Sequence, residues 1–397
     1  MAFPLEGIRV IDLTQYQQGP IGTLMLADMG AEVIKVEPRG TGDPGRSLGP
    51  YYFQACDRNK KSITVDTRTE KGKEIVYRLV KNADIFAQNF RPGVADRLGF
   101  SYEKLSSVNP RIIYLTGSAF GLKGPMGTKP GYDGVGQAMS GILSTIWQPE
   151  GIPPTNLGCS ISDQTGGYML AFGAMVALFH RERTGEGQQV DASLLGSTMN
   201  LIGWTFQRTL THSHLGASML VPRARVAPFA KEVSIIGSHI AKDGKPILLL
   251  LMRRPMQIAV FKVLGLERFI DDPRRENKEQ VKEYINDVLK SMDERIRTKN
   301  RDEWLKLIDE AGGIAAPVHT LEEAAAHPQA LANEYITEVD HPKEGRIRVL
   351  GLPVKLHKTP GRVGIAPELG QNTEEILTKI AGFTAEEIKQ LKKEEVI

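Results

Sequence analysis

The stretch that most constrains this chain is an apolar run in its middle. Residues 166–179 carry no formal charge, and Asp163 lies three positions before them. A helix that is apolar on every side leaves no face for water, so we expect this one to be buried. It is shorter than the roughly 20 apolar residues that cross a bilayer. The pattern therefore predicts a buried helix inside a soluble protein, with a single acid just before it.

Asp163 permits two interpretations, which are compatible with each other. Asp is a preferred N-cap residue, because its carboxylate accepts hydrogen bonds from the free N–H groups of a first helical turn. The second interpretation is a nucleophile, since the positive end of a helix would keep a carboxylate ionised and favour negative charge developing beside it. The pair Gly166 and Gly167 leaves room for a ligand to approach the backbone.

Composition limits the class of protein. The chain has 397 residues, of which 41% are hydrophobic and 24% charged, as in an ordinary globular protein of two or three domains. A net charge of +3 on this length predicts no nucleic-acid partner. The only cysteines, Cys56 and Cys159, support neither a disulfide framework nor a cysteine metal site. With no signal-peptide pattern and no membrane-spanning run, we expect a cytoplasmic protein without a membrane partner.

The N-terminal part of the chain alternates predicted strands and helices. Residues 8–13 and 32–37 are expected strands on either side of a helix over 21–29, and this βαβ unit predicts a parallel sheet. Neither G-x-G-x-x-G in the first turn nor a P-loop is present, so these nucleotide-binding fingerprints are missing. Ligands bind such sheets beyond the carboxyl ends of the strands. The loops there contain Gln15, Tyr16, Gln17, Arg39, Asp43, Arg46, Asn89, Arg91 and Ser118.

A Gly/Pro-rich loop over 119–132 precedes a helix predicted over 133–142. Long loops inside compact domains are often functional. Asp133, the first residue of that helix, is therefore either a cap or an active-site acid. His212 and His214 alternate without a nearby cluster of acids or cysteines, so we expect no metal site there.

A later region is richer in charged helices. Residues 234–240 and 246–252 are predicted to form a hairpin, and a helix over 278–292 is expected to start with a capping box of Asn277 and Gln280. The predicted organisation is a large domain over 1–215, a linker over 216–233, a small domain over 234–320, and a return linker with the rest of the large domain over 321–397.

Eight motifs are distributed along nearly the whole chain. They are PLEGIRVIDLT, GPIGTLMLADMGAEVIKVEP followed by GD and an arginine, NKKSITVD, NFRPG, YDGVGQAMSG, the Asp163 segment, TGEGQQVDASLL and GQNTEEIL. Together they resemble the family III CoA-transferases, the group of the formyl-CoA, carnitine and bile-acid CoA-transferases, which also includes 2-methylacyl-CoA racemases. The resemblance implies an α/β fold: a Rossmann-like large domain built from both chain ends, a smaller α+β domain, and subunits interlocked as a dimer.

The resemblance also implies a mechanism. The position of Asp163 matches the family's nucleophile, which forms a mixed anhydride and then an aspartyl-CoA thioester. Coenzyme A and acyl-CoA are then substrates, and no permanently bound cofactor or metal is expected. Gln17 matches a glutamine of the acyl site and Asp133 an active-site acid. Positions at or beside those that hold CoA are Tyr16, Arg39, Arg68, Asn89, Phe90 and Arg97.

Two departures from the family pattern stand out. Residues 248–255 contain no glycine where some members have a glycine-rich lid, and Asn372 replaces a histidine frequent in the C-terminal motif. For Arg39 and Arg97, pairing with CoA phosphates competes with a simple surface salt bridge.

Alternatives remain at this point. A racemase would carry a histidine in the loop GYDGVGQ, where this chain has Tyr132, a poor base at neutral pH if its pKa is unshifted. A non-catalytic subunit of a heteromer is a further alternative, and the partner of the chain is either a second copy or a related subunit. The expected reaction moves CoA from a donor such as succinyl-CoA or acetyl-CoA to an acid. Bulky residues favour a large or aromatic acceptor such as an aryl succinate: Tyr16, Trp147, Met219 and Met252.

Overall fold

The computed structural model describes residues 3–146, 151–211, 220–221, 224–225, 234–277 and 279–397. The strands are β1 (Arg9–Asp12), β2 (Glu32–Glu37), β3 (Lys61–Thr64), β4 (Ile85–Gln88), β5 (Ile113–Ser118), β6 (Gln189–Ser193), β7 (Leu220–Val221), β8 (Ala224–Arg225), β9 (Ile235–Ile240), β10 (Pro246–Leu251), β11 (Ala315–Pro317), β12 (Ile336–His341) and β13 (Gly345–Leu350).

The α-helices are α1 (Gln18–Asp28), α2 (Pro50–Asp57), α3 (Glu70–Lys81), α4 (Val94–Arg97), α5 (Tyr102–Val108), α6 (Asp133–Ser140), α7 (Ile161–Thr184), α8 (Leu194–Leu201), α9 (Gly203–Thr211), α10 (Arg254–Leu264), α11 (Val281–Ile296), α12 (Arg301–Glu310), α13 (Leu321–Ala326), α14 (Pro328–Ala332), α15 (Thr373–Lys379) and α16 (Ala385–Lys393). Short 3₁₀ segments lie at Pro44–Leu48, Ile142–Thr145, Glu267–Phe269 and Pro273–Arg275.

A six-stranded sheet organises the larger of two compact units, which comprises Met1–Leu143, Pro153–Phe206 and Leu331–Ile397. Its strand order is β3-β2-β1-β4-β5-β6, and every neighbouring pair is parallel. This is the Rossmann order, in which the strand order reverses between β1 and β4. The predicted α/β class with a Rossmann-like parallel sheet is confirmed.

Helices cover both faces of this sheet. Because successive strand residues point to opposite faces, Ile11 packs in one core with α3, α5, α15 and α16. Val10 packs in the other core with α1 and α7. Both ends of the chain therefore build the larger unit.

Helix α7 differs from its prediction in position and in burial. It starts at Ile161, so Asp163 lies inside its first turn rather than before it. Its small residues, such as Ala174 and Ala177, face the sheet and are buried, whereas Phe172 and Phe179 are 65% and 64% exposed. The prediction that no face remains for water is therefore wrong for the single chain. An apolar sequence indicates that a helix surface prefers to be buried, but it does not specify which other surface buries it.

The described part of the chain contains no helix with the length and apolar character needed to cross a bilayer.

Helix α2 is an element that the sequence analysis does not predict. Gly49 precedes it with φ 109°, a backbone angle that favours glycine, and Pro50 occupies the first helical position. The helix buries Phe53, Cys56 and Asp57. An eight-residue helix with one buried edge leaves little periodicity to detect.

The smaller unit comprises Ser144–Ile152 and Gln207–Ala330. The predicted hairpin is confirmed as β9 and β10, and β11 completes an antiparallel sheet in the order β11-β10-β9. This sheet and helices α10, α11 and α12 enclose a core around Leu249, Val260 and Trp304. Residues 248–251 thus belong to the central strand of this sheet. Most of the predicted linker, 216–233, lies outside the described residues.

The predicted capping box at the start of α11 is wrong. The helix begins at Val281, and Asn277 instead accepts hydrogen bonds from the N–H groups of Glu279 and Gln280, at 2.9 and 3.4 Å. A capping box occurs at the start of α12, between Asn300 and Glu303.

Candidate active site

A cleft of about 360 Å³ opens at the carboxyl end of the parallel sheet. Its walls come from the loops after β1, β4 and β5, the start of α8, the loop before α6 and the first turn of α7. The loops after β1 and β4 meet where the strand order reverses, the usual ligand position in such sheets. Of the predicted site residues, the cleft brings together Tyr16, Gln17, Asn89, Phe90 and Asp163.

The turn after β1 is held by side chains from other segments of the chain. Asn89 binds the backbone of Gln15 in both directions, since its Oδ1 accepts from the Gln15 N–H at 2.7 Å and its Nδ2 donates to the Gln15 carbonyl at 2.9 Å. Tyr16 adopts φ 60°, which is uncommon for a residue other than glycine, and its N–H donates to Asp43 at 3.1 Å. Asn89 thus lines the cleft while its amide holds the turn.

Gln17 lines the cleft and is joined to α7. Its Nε2 donates to Oε1 of Gln164 at 3.2 Å, and Gln164 donates in turn to the Tyr168 hydroxyl at 2.8 Å. An amide Nε2 carries two N–H groups, so one remains for a ligand.

Asp133 caps α7, a role that sequence analysis considered for Asp163. Its Oδ1 accepts from the N–H groups of Ser162 and Asp163, at 2.7 and 3.2 Å. The fully buried Gln137 donates to the other oxygen of Asp133 and to the Cys159 carbonyl. Asp133 therefore fixes the start of α7 from a different helix, and the Asp163 carboxylate is free of capping and lines the cleft.

The ionisation of Asp163 also differs from expectation. Burial, and then the neighbouring carboxylate of Asp133, raise the pKa of Asp163 to about 7. The expectation was that the positive end of the helix would keep Asp163 ionised. Two of the N–H groups that create this positive end are already bound by Asp133, which brings a negative charge of its own.

Three predicted CoA-contacting residues do not line this cleft. Arg39 pairs with Glu395 at 3.2 Å, and Arg68, whose side chain is 82% exposed, pairs with Asp66 at 2.8 Å. Arg97 is an exposed residue of α4. Their role in CoA binding stays a prediction.

Sequence reasoning missed two contributions to the cleft wall, the side chain of Lys129 and the ring of Tyr132. Lys129 belongs to the Gly/Pro-rich loop, whose unusual length was the available signal. Together with Arg91 it places cationic side chains on the wall, which suits anionic ligands. The Tyr132 ring meets that of Tyr16 edge to face, with centroids 6.0 Å apart.

Two of the bulky residues expected near the acyl group, Trp147 and Met219, lie outside the described residues, as do His212 and His214. Met252 belongs to the smaller unit. Within the described ranges, His, Cys, Asp and Glu side chains form no group of three or more that could hold a metal ion.

The chain is similar to known proteins over nearly its whole length. A family model described as CoA-transferase family III matches residues 5–373. The chain is 36% identical over 383 residues to an acetyl-CoA:oxalate CoA-transferase of Acetobacter aceti, with 93% of each chain covered. It is 32% identical over 405 residues to a succinyl-CoA–D-citramalate CoA-transferase of Chloroflexus aurantiacus, covering 99% of this chain and 98% of the relative.

A solved structure of a CAIB/BAIF family protein from Brucella suis resembles this chain with a TM-score of 0.82 at 27% identity. The similarity covers 96% of this chain and all of the other.

Proposed function

The chain belongs to CoA-transferase family III and is an enzyme of the CoA-transferase type, and we propose that it moves CoA from an acyl-CoA donor to a free carboxylic acid through Asp163. The observation that carries this proposal is the placement of Asp163. It lies in the first turn of α7 and lines the cleft at the carboxyl end of the sheet, while Asp133 binds the adjacent N–H groups. The carboxylate is thereby available for nucleophilic attack.

The proposed reaction has four steps. Asp163 attacks the thioester carbonyl of the donor and expels CoA thiolate, which leaves a mixed anhydride. The thiolate attacks the aspartyl carbonyl and releases the donor acid, which leaves an aspartyl-CoA thioester. The acceptor carboxylate then attacks this thioester, giving a new anhydride and thiolate. The thiolate finally takes the acceptor acyl group, and the Asp163 carboxylate is restored.

Residues of the cleft supply binding and charge stabilisation. Each tetrahedral intermediate carries an oxyanion that needs hydrogen-bond donors, and the remaining Nε2–H of Gln17 is a donor on the cleft wall. Arg91 and Lys129 suit the phosphates of CoA or a substrate carboxylate. The anhydride must also be kept from water, which would hydrolyse it.

Mass spectrometry after incubation with an acyl-CoA and hydroxylamine tests the proposal. Succinyl-CoA, acetyl-CoA and formyl-CoA are the donors to try. Hydroxylamine converts an aspartyl anhydride or thioester into a hydroxamate, so we expect a mass shift on the peptide that contains Asp163, and none in Asp163→Ala. No shift with any donor would favour a racemase-like or non-catalytic role instead.

The pKa of Asp163 predicts a pH profile. Because attack requires the ionised carboxylate, kcat/KM should rise as pH increases through about 7 and level off above it. Asp133→Asn keeps an oxygen for the N–H groups of α7 but removes the charge, so its profile should shift to lower pH. The profile is measured as initial rates between about pH 5.5 and 9, a span chosen to bracket the rise. A flat profile from pH 6 to 8 would contradict this role of Asp163.

The acceptor is proposed to be a dicarboxylic acid with a bulky or aromatic substituent, such as an aryl succinate. Arg91 and Lys129 favour a second carboxylate, and the rings of Tyr16 and Tyr132 favour an aromatic group. The relatives named for oxalate and D-citramalate act on smaller dicarboxylic acids. Comparing kcat/KM for oxalate, succinate and phenylsuccinate decides between these sizes, and a preference for oxalate would overturn the aromatic acceptor.

We propose that the exposed apolar side of α7 is covered by a second copy of the chain, as the family's interlocked dimer implies. Phe172 is exposed on this side and lines an apolar cleft with Met25, Tyr168 and Leu350. Burial of a Phe side chain contributes about 1.5–3 kcal/mol. Burial of an unpaired charge costs several kcal/mol.

Phe172→Asp should therefore weaken self-association on the order of a hundredfold or more. Light scattering after size-exclusion chromatography measures the mass. The control is Lys104→Asp, on helix α5, which packs against the opposite face of the sheet from α7. This variant should have the same mass as the wild type. A wild-type monomer at micromolar concentration would overturn the homodimer, and would leave a related subunit as the partner.

A further inference from the structure

A buried cluster of charged side chains lies beneath the turn after β1. It consists of Lys35, Lys60, Asp12, Asp43 and Asp57, whose side chains are at most 1% exposed, and we call it the buried charge cluster. We propose that Asp43 and Lys35 are positioning residues that hold Tyr16 in its left-handed conformation and thereby shape the cleft for acyl transfer. This inference rests on the proposed function, because the cleft is taken to be the acyl site.

Lys35 connects two aspartates of the buried charge cluster to the turn. Its Nζ lies 2.7 Å from Asp43 Oδ2 and 3.2 Å from Asp57 Oδ1, and it donates to the Thr14 carbonyl at 2.9 Å. Burial alone would lower the pKa of Lys35, yet the carboxylates around it raise that pKa well above its usual value. Lys35 is therefore charged and bound directly to the backbone where the turn begins.

Lys60 joins the same cluster to the start of α1. Its Nζ lies 2.8 Å from Asp57 and 3.0 Å from Asp12, and it donates to the Pro20 carbonyl at 3.0 Å. Asp12 in turn accepts from the backbone N–H of Thr14 at 2.8 Å. The turn is thus held at Thr14 by both its carbonyl and its N–H.

Asp43 contacts the backbone of the turn directly. Its Oδ1 accepts from the N–H groups of Tyr16 and Gly45, at 3.1 and 2.7 Å, while its Oδ2 faces Lys35. A non-glycine residue in a left-handed conformation persists only where its surroundings fix it. Tyr16 has φ 60° and lines the cleft. The hydrogen bond from its N–H to Asp43 therefore connects a wall of the acyl site to the buried ion pair of Asp43 and Lys35.

The cluster also accounts for motifs to which the proposed reaction assigns no role. Asp43 and Arg46 are the acid and the arginine that follow β2, and Lys60 and Ser62 belong to NKKSITVD. Glu37 joins three of these residues, because it accepts from the Asp43 N–H at 2.9 Å, from Arg46 at 2.6 Å and from the Ser62 hydroxyl at 2.6 Å. Residues distant in sequence therefore act together on one turn.

The test compares Asp43→Asn with Asp57→Asn. The asparagine side chain in Asp43→Asn has one oxygen and one NH₂ group, so it could not serve both the two N–H groups and the Lys35 ammonium. We expect kcat to fall on the order of tenfold to a hundredfold, as small misplacements of catalytic sites do, with a smaller change in KM for acyl-CoA. Asp57→Asn removes the same charge from the same cluster but no contact to the turn, and should retain kcat.

A glycine rescue separates positioning from general support of the fold. Glycine adopts the left-handed conformation without strain. In a Tyr16→Gly background, Asp43→Asn should therefore lower kcat much less than it does in the wild type. Equal losses in both backgrounds, or equal effects of Asp43→Asn and Asp57→Asn, would overturn the proposal. If Asp43→Asn does not fold, Asp43→Glu takes its place, because it keeps the charge but moves the carboxylate relative to the Tyr16 N–H.

Hydrogen exchange provides a readout that does not depend on activity. Amide exchange of the peptide over residues 14–18 should accelerate in Asp43→Asn and not in Asp57→Asn. If hydroxylamine traps no aspartyl adduct in the wild type, the proposed function fails, while the exchange result still decides whether Asp43 holds the turn. Unchanged exchange in Asp43→Asn would refute the positioning role whatever the reaction is.

Discussion

Replacing Asp163 with asparagine is expected to lower kcat for CoA transfer by about a thousandfold or more, because nucleophile replacements in covalent catalysis remove most of the rate enhancement. Asparagine has nearly the same shape but an uncharged, weakly nucleophilic amide. KM for acyl-CoA should change less than kcat, since the other walls of the cleft are intact. The measurement is steady-state transfer from succinyl-CoA to an acid, followed by chromatography of the CoA esters.

The stability of Asp163→Asn separates loss of the nucleophile from loss of the fold. The pKa of Asp163 is raised from 3.8 to about 7, so the folded protein holds a proton that the unfolded chain releases between these values. Wild-type stability therefore falls as pH rises through this window. Asparagine cannot ionise, so the variant should be at least as stable as the wild type at pH 8.

The exposed acid Asp96 offers a matched control, and Asp96→Asn should leave kcat unchanged. A fully active Asp163→Asn would refute the proposed mechanism. If Asp163→Asn is inactive because it has unfolded, its inactivity would not support the mechanism. The prediction that this variant is at least as stable as the wild type would then be wrong.

Lys60→Met is expected to have the largest effect on stability, a loss of about 3–5 kcal/mol in the free energy of unfolding. Lys60 is fully buried, and its ammonium group lies 3.0 Å from Asp12 and 2.8 Å from Asp57. Removing the ammonium leaves Lys35 as the one cation of the buried charge cluster. The carboxylates of Asp12, Asp43 and Asp57 then have only this cation to balance them. Calorimetry and urea denaturation measure the loss.

Two further variants define the cause. Lys71→Met removes a half-exposed lysine of α3 and should change stability by less than about 0.5 kcal/mol. Adding Asp12→Asn and Asp57→Asn to Lys60→Met leaves Lys35 and Asp43 as a balanced pair, and should recover part of the lost stability. If the triple variant is less stable than Lys60→Met alone, uncompensated charge is not the reason for the loss.

Local patterns predicted much of the larger unit. Strand β2 has its predicted bounds, because an apolar run and its end signals are properties of adjacent residues. The βαβ pattern predicted the parallel sheet, and hence that ligands bind beyond the carboxyl ends of its strands. The loops at those strand ends contain Tyr16, Gln17 and Asn89, and the family resemblance adds Phe90. All four line the cleft.

The sequence by itself thus determined the class of fold, the region of the site and the candidate nucleophile. Only the tertiary structure decided how these residues are held. It is Asp133 from α6 that caps α7, and Asp43 and Lys35 that support Tyr16, through hydrogen bonds between residues 27 to 30 positions apart or through buried ion pairs. It also left Phe172 exposed on a helix expected to be buried. The physical reason is that periodicity reports the preference of each residue for water or for a core, whereas the partner of a hydrogen bond, a charge or an apolar surface depends on which distant segments the fold brings together.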